Sequence, residues 1–336
     1  VNWSTGFNGE FITRRPHVDA DRVAVATPHG NLCLLATDTG DPVGEGCGRA
    51  LRYHVAGTPP VRVGERYLTV TDEVIVADRT GEITWSEPFP GEDAAKTGLR
   101  PFVVEGTTYV FTRSLELLRI DVDAREITRV GDLVLDAGSG DVRGSRAVVG
   151  TGGWRTAIVD LATGAKEWER DANMSPAPCW YGSDVVTQGY SDDEIHARRI
   201  SPVDGSERWA TTVPGTDVLF TGLVDESTLA MVTTFPDSVD SPDRVSILDG
   251  ETGVVRDSHD LEFASWGWRG GAIHGDRLYL TGNRDYDQGV VVVVSPGDGK
   301  RTVVELDRSI SSPPVVRDNA ILFGTKGAAV YSVAMD

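Results

Sequence analysis

A turn motif of the form Asp-x-x-Thr-Gly, often followed four residues later by tryptophan, recurs along the chain and constrains its fold more than any other feature. The clear copies are Asp160-Leu161-Ala162-Thr163-Gly164 with Trp168 and Ser201-Pro202-Val203-Asp204-Gly205 with Trp209. Asp78-Arg79-Thr80-Gly81 with Trp85 is one residue shorter, and degenerate copies stand at Asp38-Thr39-Gly40, Asp121 to Arg125, Asp249 to Gly253 and Ser295 to Gly299. Their spacing, about 39–48 residues, is the length of a propeller blade. Ahead of each motif, short apolar runs alternate with Gly, Asp or Asn turns, as in Val61 to Leu68, Ala272 to Leu280 and Val315 to Phe323. Such runs, rich in β-branched residues, predict antiparallel strands joined by hairpins. No stretch keeps a helical apolar period.

Seven motifs are complete and the eighth is split. Val330 to Ala334 matches the strand that leads into a motif, and the missing tryptophan strand is supplied by Asn2-Trp3. The expected fold is therefore all-β: an eight-bladed β-propeller of four-stranded antiparallel blades, closed by the N-terminal strand pairing into the last blade. Closure of this kind leaves no open sheet edge for aggregation. Eight blades of about 42 residues account for all 336 residues, so residues 1–336 are expected to form one propeller domain. The blade segments are expected at 5–44, 45–87, 88–130, 131–170, 171–211, 212–257, 258–304, and 305–336 with 1–4.

The Ala/Val-x-Asp-x-x-Thr-Gly-x-x-x-Trp repeat resembles that of pyrroloquinoline-quinone-like propellers, which include quinone-dependent alcohol dehydrogenases, BamB-type assembly lipoproteins and bacterial sensor ectodomains. The resemblance covers the full length. It implies that Trp85, Trp168, Trp209 and Trp3, with Gly81, Gly164 and Gly205, dock neighbouring blades. The pattern breaks at Gly44, Arg129, Asp257 and Val303, where tryptophan is replaced. The related dehydrogenases use adjacent cysteines beside their quinone. No Cys-Cys pair occurs here, so no quinone is expected.

The net charge is −19, from 32 basic and 51 acidic residues. Nucleic-acid phosphates would be repelled, whereas cationic partners and divalent metals would not. No apolar stretch is long enough to cross a bilayer as a helix. Any membrane attachment is expected through an anchor outside these residues. The sequence opens on Val1-Asn2-Trp3, which already reads as structured and fits a chain that starts after a removed leader or anchor. Two of the three cysteines, Cys33 and Cys47, flank the turn centred on Gly40. Two alternatives stand: a cross-strand disulfide, which suits export, or two unpaired thiols.

Candidate chemistry falls on the loops between second and third strands, where function concentrates on a rigid scaffold. Three consecutive loops of this kind are acidic, carrying Asp192, Asp193 and Glu194, then Asp237, Asp240 and Asp243, then Asp285 and Asp287. The first two sets could ligate Ca²⁺ through oxygen or form a solvated acidic surface. Aromatics stand beside them: Trp266 and Trp268 with Arg269, Trp180 with Tyr181, and Trp154. These read as an interaction hot spot or as packing between blades. Arg14, Arg100 and Arg269 align near the mouth of an axial channel, where guanidinium groups could fix a carboxylate or pair with neighbouring acids. No catalytic residue set is identifiable. The sequence points first to an exported, non-catalytic propeller, monomeric, extracellular or in the cell envelope. In that reading it binds a protein or envelope ligand without a resident cofactor. The alternative is an extracellular polysaccharide lyase or glycosidase with a composite channel-mouth site.

Overall fold

The computed structural model describes residues 2–7, 14–27, 32–44, 47, 58–71, 73–90, 101–112, 116–131, 137–151, 155–171, 178–191, 194–215, 217–234, 243–261, 267–284, 287–318, 320–327 and 329–335. The strands form eight four-stranded antiparallel sheets, with no α-helix among the described residues. The architecture is an eight-bladed β-propeller. Its blades cluster into two compact units.

The first unit holds blades 1 to 3 and blade 8. Blade 1 runs through His17–Val18, Arg22–Ala26, Leu32–Ala36 and Pro42–Val43. Blade 2 comprises Val61–Val63, Arg66–Val70, Glu73–Asp78 and Ile83–Pro88. Blade 3 comprises Phe102–Val104, Thr107–Phe111, Leu117–Asp121 and Glu126–Arg129. Blade 8 takes Val315–Arg317, Ala320–Gly324 and Ala329–Ala334 from the C-terminal end. Its fourth strand is Trp3–Gly6, antiparallel to Ala329–Ala334 with Trp3 opposite Ser332. The split eighth blade is thus completed as the repeat predicts.

The second unit holds blades 4 to 7 apart from the Leu161–Ala165 turn, which groups with the first unit; the strands of these blades begin at Ala137–Arg143 and end at Arg301–Glu305. Gly289–Val294, the third strand of blade 7, shows why the central strands read as unbroken apolar runs: nearly every residue is buried because both sheet faces are covered. Fourth strands have one covered face. In Glu207–Val213 only Trp209 and Val213 are buried.

Blade 1 departs from the expected hairpin register. Leu34 pairs with Val43 and Leu35 with Pro42, so the residue opposite Cys33 is Gly44, not Cys47. The reason is local: the Gly40 N–H donates to the Ala36 carbonyl at 2.8 Å, so Gly40 ends the turn instead of centring it. The strand then stops at Val43, because Gly44 lies against blade 2, where an added Cβ would stand 2.1 Å from the Thr80 carbonyl oxygen. Cys33 and Cys47 are both free thiols, brought together from beyond the strand end and not across the ladder.

Candidate functional site

Blade topology places two kinds of loop at opposite ends of each sheet. Hairpins between first and second strands share one end with the motif turns. Loops between second and third strands share the other with the blade-to-blade connections.

The motif end is committed to holding blades together. The Trp3 indole N–H donates to the Thr37 carbonyl at 2.9 Å, that of Trp168 to Pro202 at 2.8 Å, and that of Trp209 to Gly250 at 3.0 Å. Each acceptor lies three residues before the motif glycine of the next blade. The glycine then lies against the indole: a Cβ on Gly253 would be 2.6 Å from the Trp209 ring, and one on Gly40 2.3 Å from that of Trp3. Gly205 faces the Arg170 side chain instead. Trp85 packs on Val110, Leu118, Ile120 and Val122 of blade 3, with its indole N–H 3.2 Å from Glu87. Where tryptophan is missing, backbone meets backbone, Gly44 against Gly81 and Gly131 against Gly164. In blade 6 the His259 ring covers Gly299.

Polar networks at this end, which no local motif announces, reinforce the junctions. Tyr67 donates to Asp19 at 2.8 Å and Arg62 bridges Asp19 and Glu65, each at 2.8 Å. Burial, followed by the bond to Asp19, pushes the Tyr67 phenol well above its ordinary range. In the second unit the Arg199 guanidinium lies 4.7 Å from the centre of the Tyr181 ring. It also pairs with Asp184 at 2.7 Å and Glu251 at 2.8 Å. Tyr181 is buried, and its hydroxyl donates to the Glu226 carbonyl at 2.8 Å. Within this contact set, Tyr181 joins blades 5 and 6.

Apart from Tyr181 and Arg14, the described members of the sequence-derived site lie at the opposite end of blades 4 to 7. Trp268 is 9% exposed, packed with Val245, Ile247, Leu278 and Leu280. Its indole N–H donates to the Asp243 carboxylate at 2.5 Å, and Asp243 is itself buried. Arg269 is half-buried beside this pair, its backbone N–H donating to Thr281 at 2.8 Å. Around them lie exposed Arg284, ion-paired with Glu305, and Gln288, 3.2 Å from Glu305. Beneath is buried Asn283, accepting from the Ser309 hydroxyl at 3.0 Å. The result is a polar, mixed-charge rim over an aromatic–carboxylate pair.

In blade 5, Trp180 is buried among Val148, Ile158, Val185 and Ile200. Its backbone N–H donates to Asp141 at 3.1 Å, while its indole N–H has no partner among the described residues. Burial, then the Asp141 charge, pushes the nearby Cys179 thiol up to about 12. Glu194 is exposed at the start of its strand. Arg14, in the first unit, is half-buried, and burial lowers its pKa. Trp154, Trp266, Arg100, Asp192, Asp193, Asp237 and Asp240 lie outside the described residues. Among the described residues, no three His, Cys, Asp or Glu side chains converge as a metal site. No described helix is long and apolar enough to cross a membrane.

The family model of the outer membrane protein assembly factor BamB matches residues 48–174. No curated protein matches the sequence. Among solved structures, the computationally designed Ika8 protein superimposes with a TM-score of 0.76 at 13% identity, covering 99% of both chains. Sqt1 of Saccharomyces cerevisiae gives 0.71 at 11% identity, over 99% of this chain and 98% of that one. BamB of Moraxella catarrhalis gives 0.68 at 15% identity, again over 99% and 98%. The eight four-stranded sheets and these superpositions make the chain an eight-bladed β-propeller, and residues 48–174 are similar to the BamB-type repeat family.

Proposed function

We propose that this protein is a non-catalytic interaction propeller of the cell envelope, exported and held by an anchor outside these residues, that docks a protein partner on the loop end of blades 4 to 7. One observation carries the reading. BamB, described as an outer membrane protein assembly factor, is matched both by the family model and by a superposition covering nearly all of both chains. The geometry supports the choice of end. Motif turns are occupied by blade-to-blade docking, whereas Glu194, Arg284 and Gln288 present charge and hydrogen-bonding groups at the other end. Buried Trp268 and Asp243 give that rim a rigid floor, the arrangement that preorganises a binding surface.

Photo-crosslinking tests this directly. A photoreactive residue at position 194 or 284 should trap a partner in cells, while one at Val203, exposed at the motif end of blade 5, should not. Equal trapping at 203, or none at 194 and 284, would move or remove the proposed face.

A further inference from the structure

A pair of thiols in blade 1 stands apart from the docking role and has its own chemistry. Cys33, in the third strand, has no exposed surface. Partly buried Cys47 packs against it in the cluster that also holds Val25, Leu35 and Val330. The two side chains are hydrogen-bonded to one another, and the Cys47 thiol also points at the Leu34 carbonyl, 3.8 Å away. This is also the blade with the weakest outer edge. Its fourth strand has two residues, where those of the other blades have four to seven. The ladder ends at Leu34.

We propose that Cys47 and Cys33 form a disulfide-exchange site, with Cys47 as the attacking sulfur and Cys33 as the resolving one. The substrate class is a small or protein-borne disulfide such as oxidised glutathione. The Cys47 thiolate attacks one glutathione sulfur, the glutathione S–S bond breaks, and one glutathione thiolate leaves. Deprotonated Cys33 then attacks the Cys47 sulfur of the mixed disulfide, forms the Cys33–Cys47 bond and expels the second glutathione thiolate. The two protein thiols are oxidised, oxidised glutathione is reduced to two glutathiones, and these carry away the two thiol protons. The division of labour follows from access, since only Cys47 can be reached from solvent. It is reinforced by the Cys33 hydrogen bond, which holds the Cys47 thiol below its ordinary pKa. Cys179, its thiol pushed up to about 12, serves as an internal control.

The experiment uses the full chain, reduced, freed of reductant and incubated with oxidised glutathione, then digested without reduction for mass spectrometry. The expected product is a Cys33–Cys47 crosslinked peptide with Cys179 still free, and a thermal midpoint raised by a few degrees. Cys33→Ser should trap glutathione on Cys47, and Cys47→Ser should leave Cys33 unmodified. Lasting glutathione on Cys47 of the unsubstituted chain, or modification falling on Cys179, overturns the proposal. The readout is a covalent product of this chain alone, so its failure leaves the docking face untouched, and failure of that face leaves the thiol pair standing.

Discussion

At Gly253 the preceding blade's Trp209 lies so near that no side chain of any size fits, and the indole N–H reaches the backbone three residues earlier. The contact is buried, hydrogen-bonded and aromatic at once. Trp209→Ala should therefore destabilise by about 3–5 kcal/mol in chemical denaturation, with the native strand signature retained below the transition. Arg125 provides the inverse case. It occupies the motif position that glycine fills elsewhere, with φ at 55°, a conformation that L-residues adopt at a penalty of about 1–2 kcal/mol. Its side chain is exposed, and Arg66 supplies the hydrogen bond to the Val122 carbonyl that an indole supplies in other blades. Arg125→Gly should stabilise the protein by about 0.5–1 kcal/mol, measured by the same denaturation. These positions were legible in the sequence because each repeats at blade spacing. The fate of Trp268 was not. Its partner Asp243 lies 25 residues away, and nothing in the spelling of Trp-Gly-Trp-Arg distinguishes an indole that faces solvent from one donating to a buried acid.

The motif turn is the element in which sequence and structure agree most closely, and its physics predicts a pH response. Asp249 is lowered from an ordinary 3.8 to about 2 by the Thr252 backbone and hydroxyl, with Arg256 adding to them. Asp204 falls to about 2 through Ser206, and Asp298 to about 2, first through Lys300. A carboxylate whose folded pKa is depressed stabilises the fold above its unfolded pKa and loses that contribution as pH drops through the folded value. Thermal midpoints should therefore hold near neutrality and fall between about pH 4 and 2. Asp249→Ala should lower the midpoint at pH 7 and make the acid decline shallower, as followed by circular dichroism. Strands were readable from apolar runs, but hairpin register in blade 1 was not. Treating Gly40 as the turn's midpoint placed Cys47 opposite Cys33; the hydrogen bond from Gly40 to Ala36 shifts the ladder so that Gly44 takes that place. Glycine in these turns marks their end, where the preceding blade presses closest.

For the molecule as a whole, a net charge of −19 acts at longer range than any single contact. A partner presenting a basic surface would be drawn in by that field, and added salt would screen it. Association with the partner trapped by crosslinking should slow by about tenfold between about 20 and 150 mM salt, measured by surface plasmon resonance. A rate indifferent to salt would place the contact on an uncharged patch. The pairing of Trp3–Gly6 with Ala329–Ala334 also sets a schedule for the cell. The first strand of the propeller to be made has the last as its partner, so the eighth blade stays unfinished until nearly the whole propeller has been made. A chaperone that shields the early tryptophan strand would therefore govern when that blade locks.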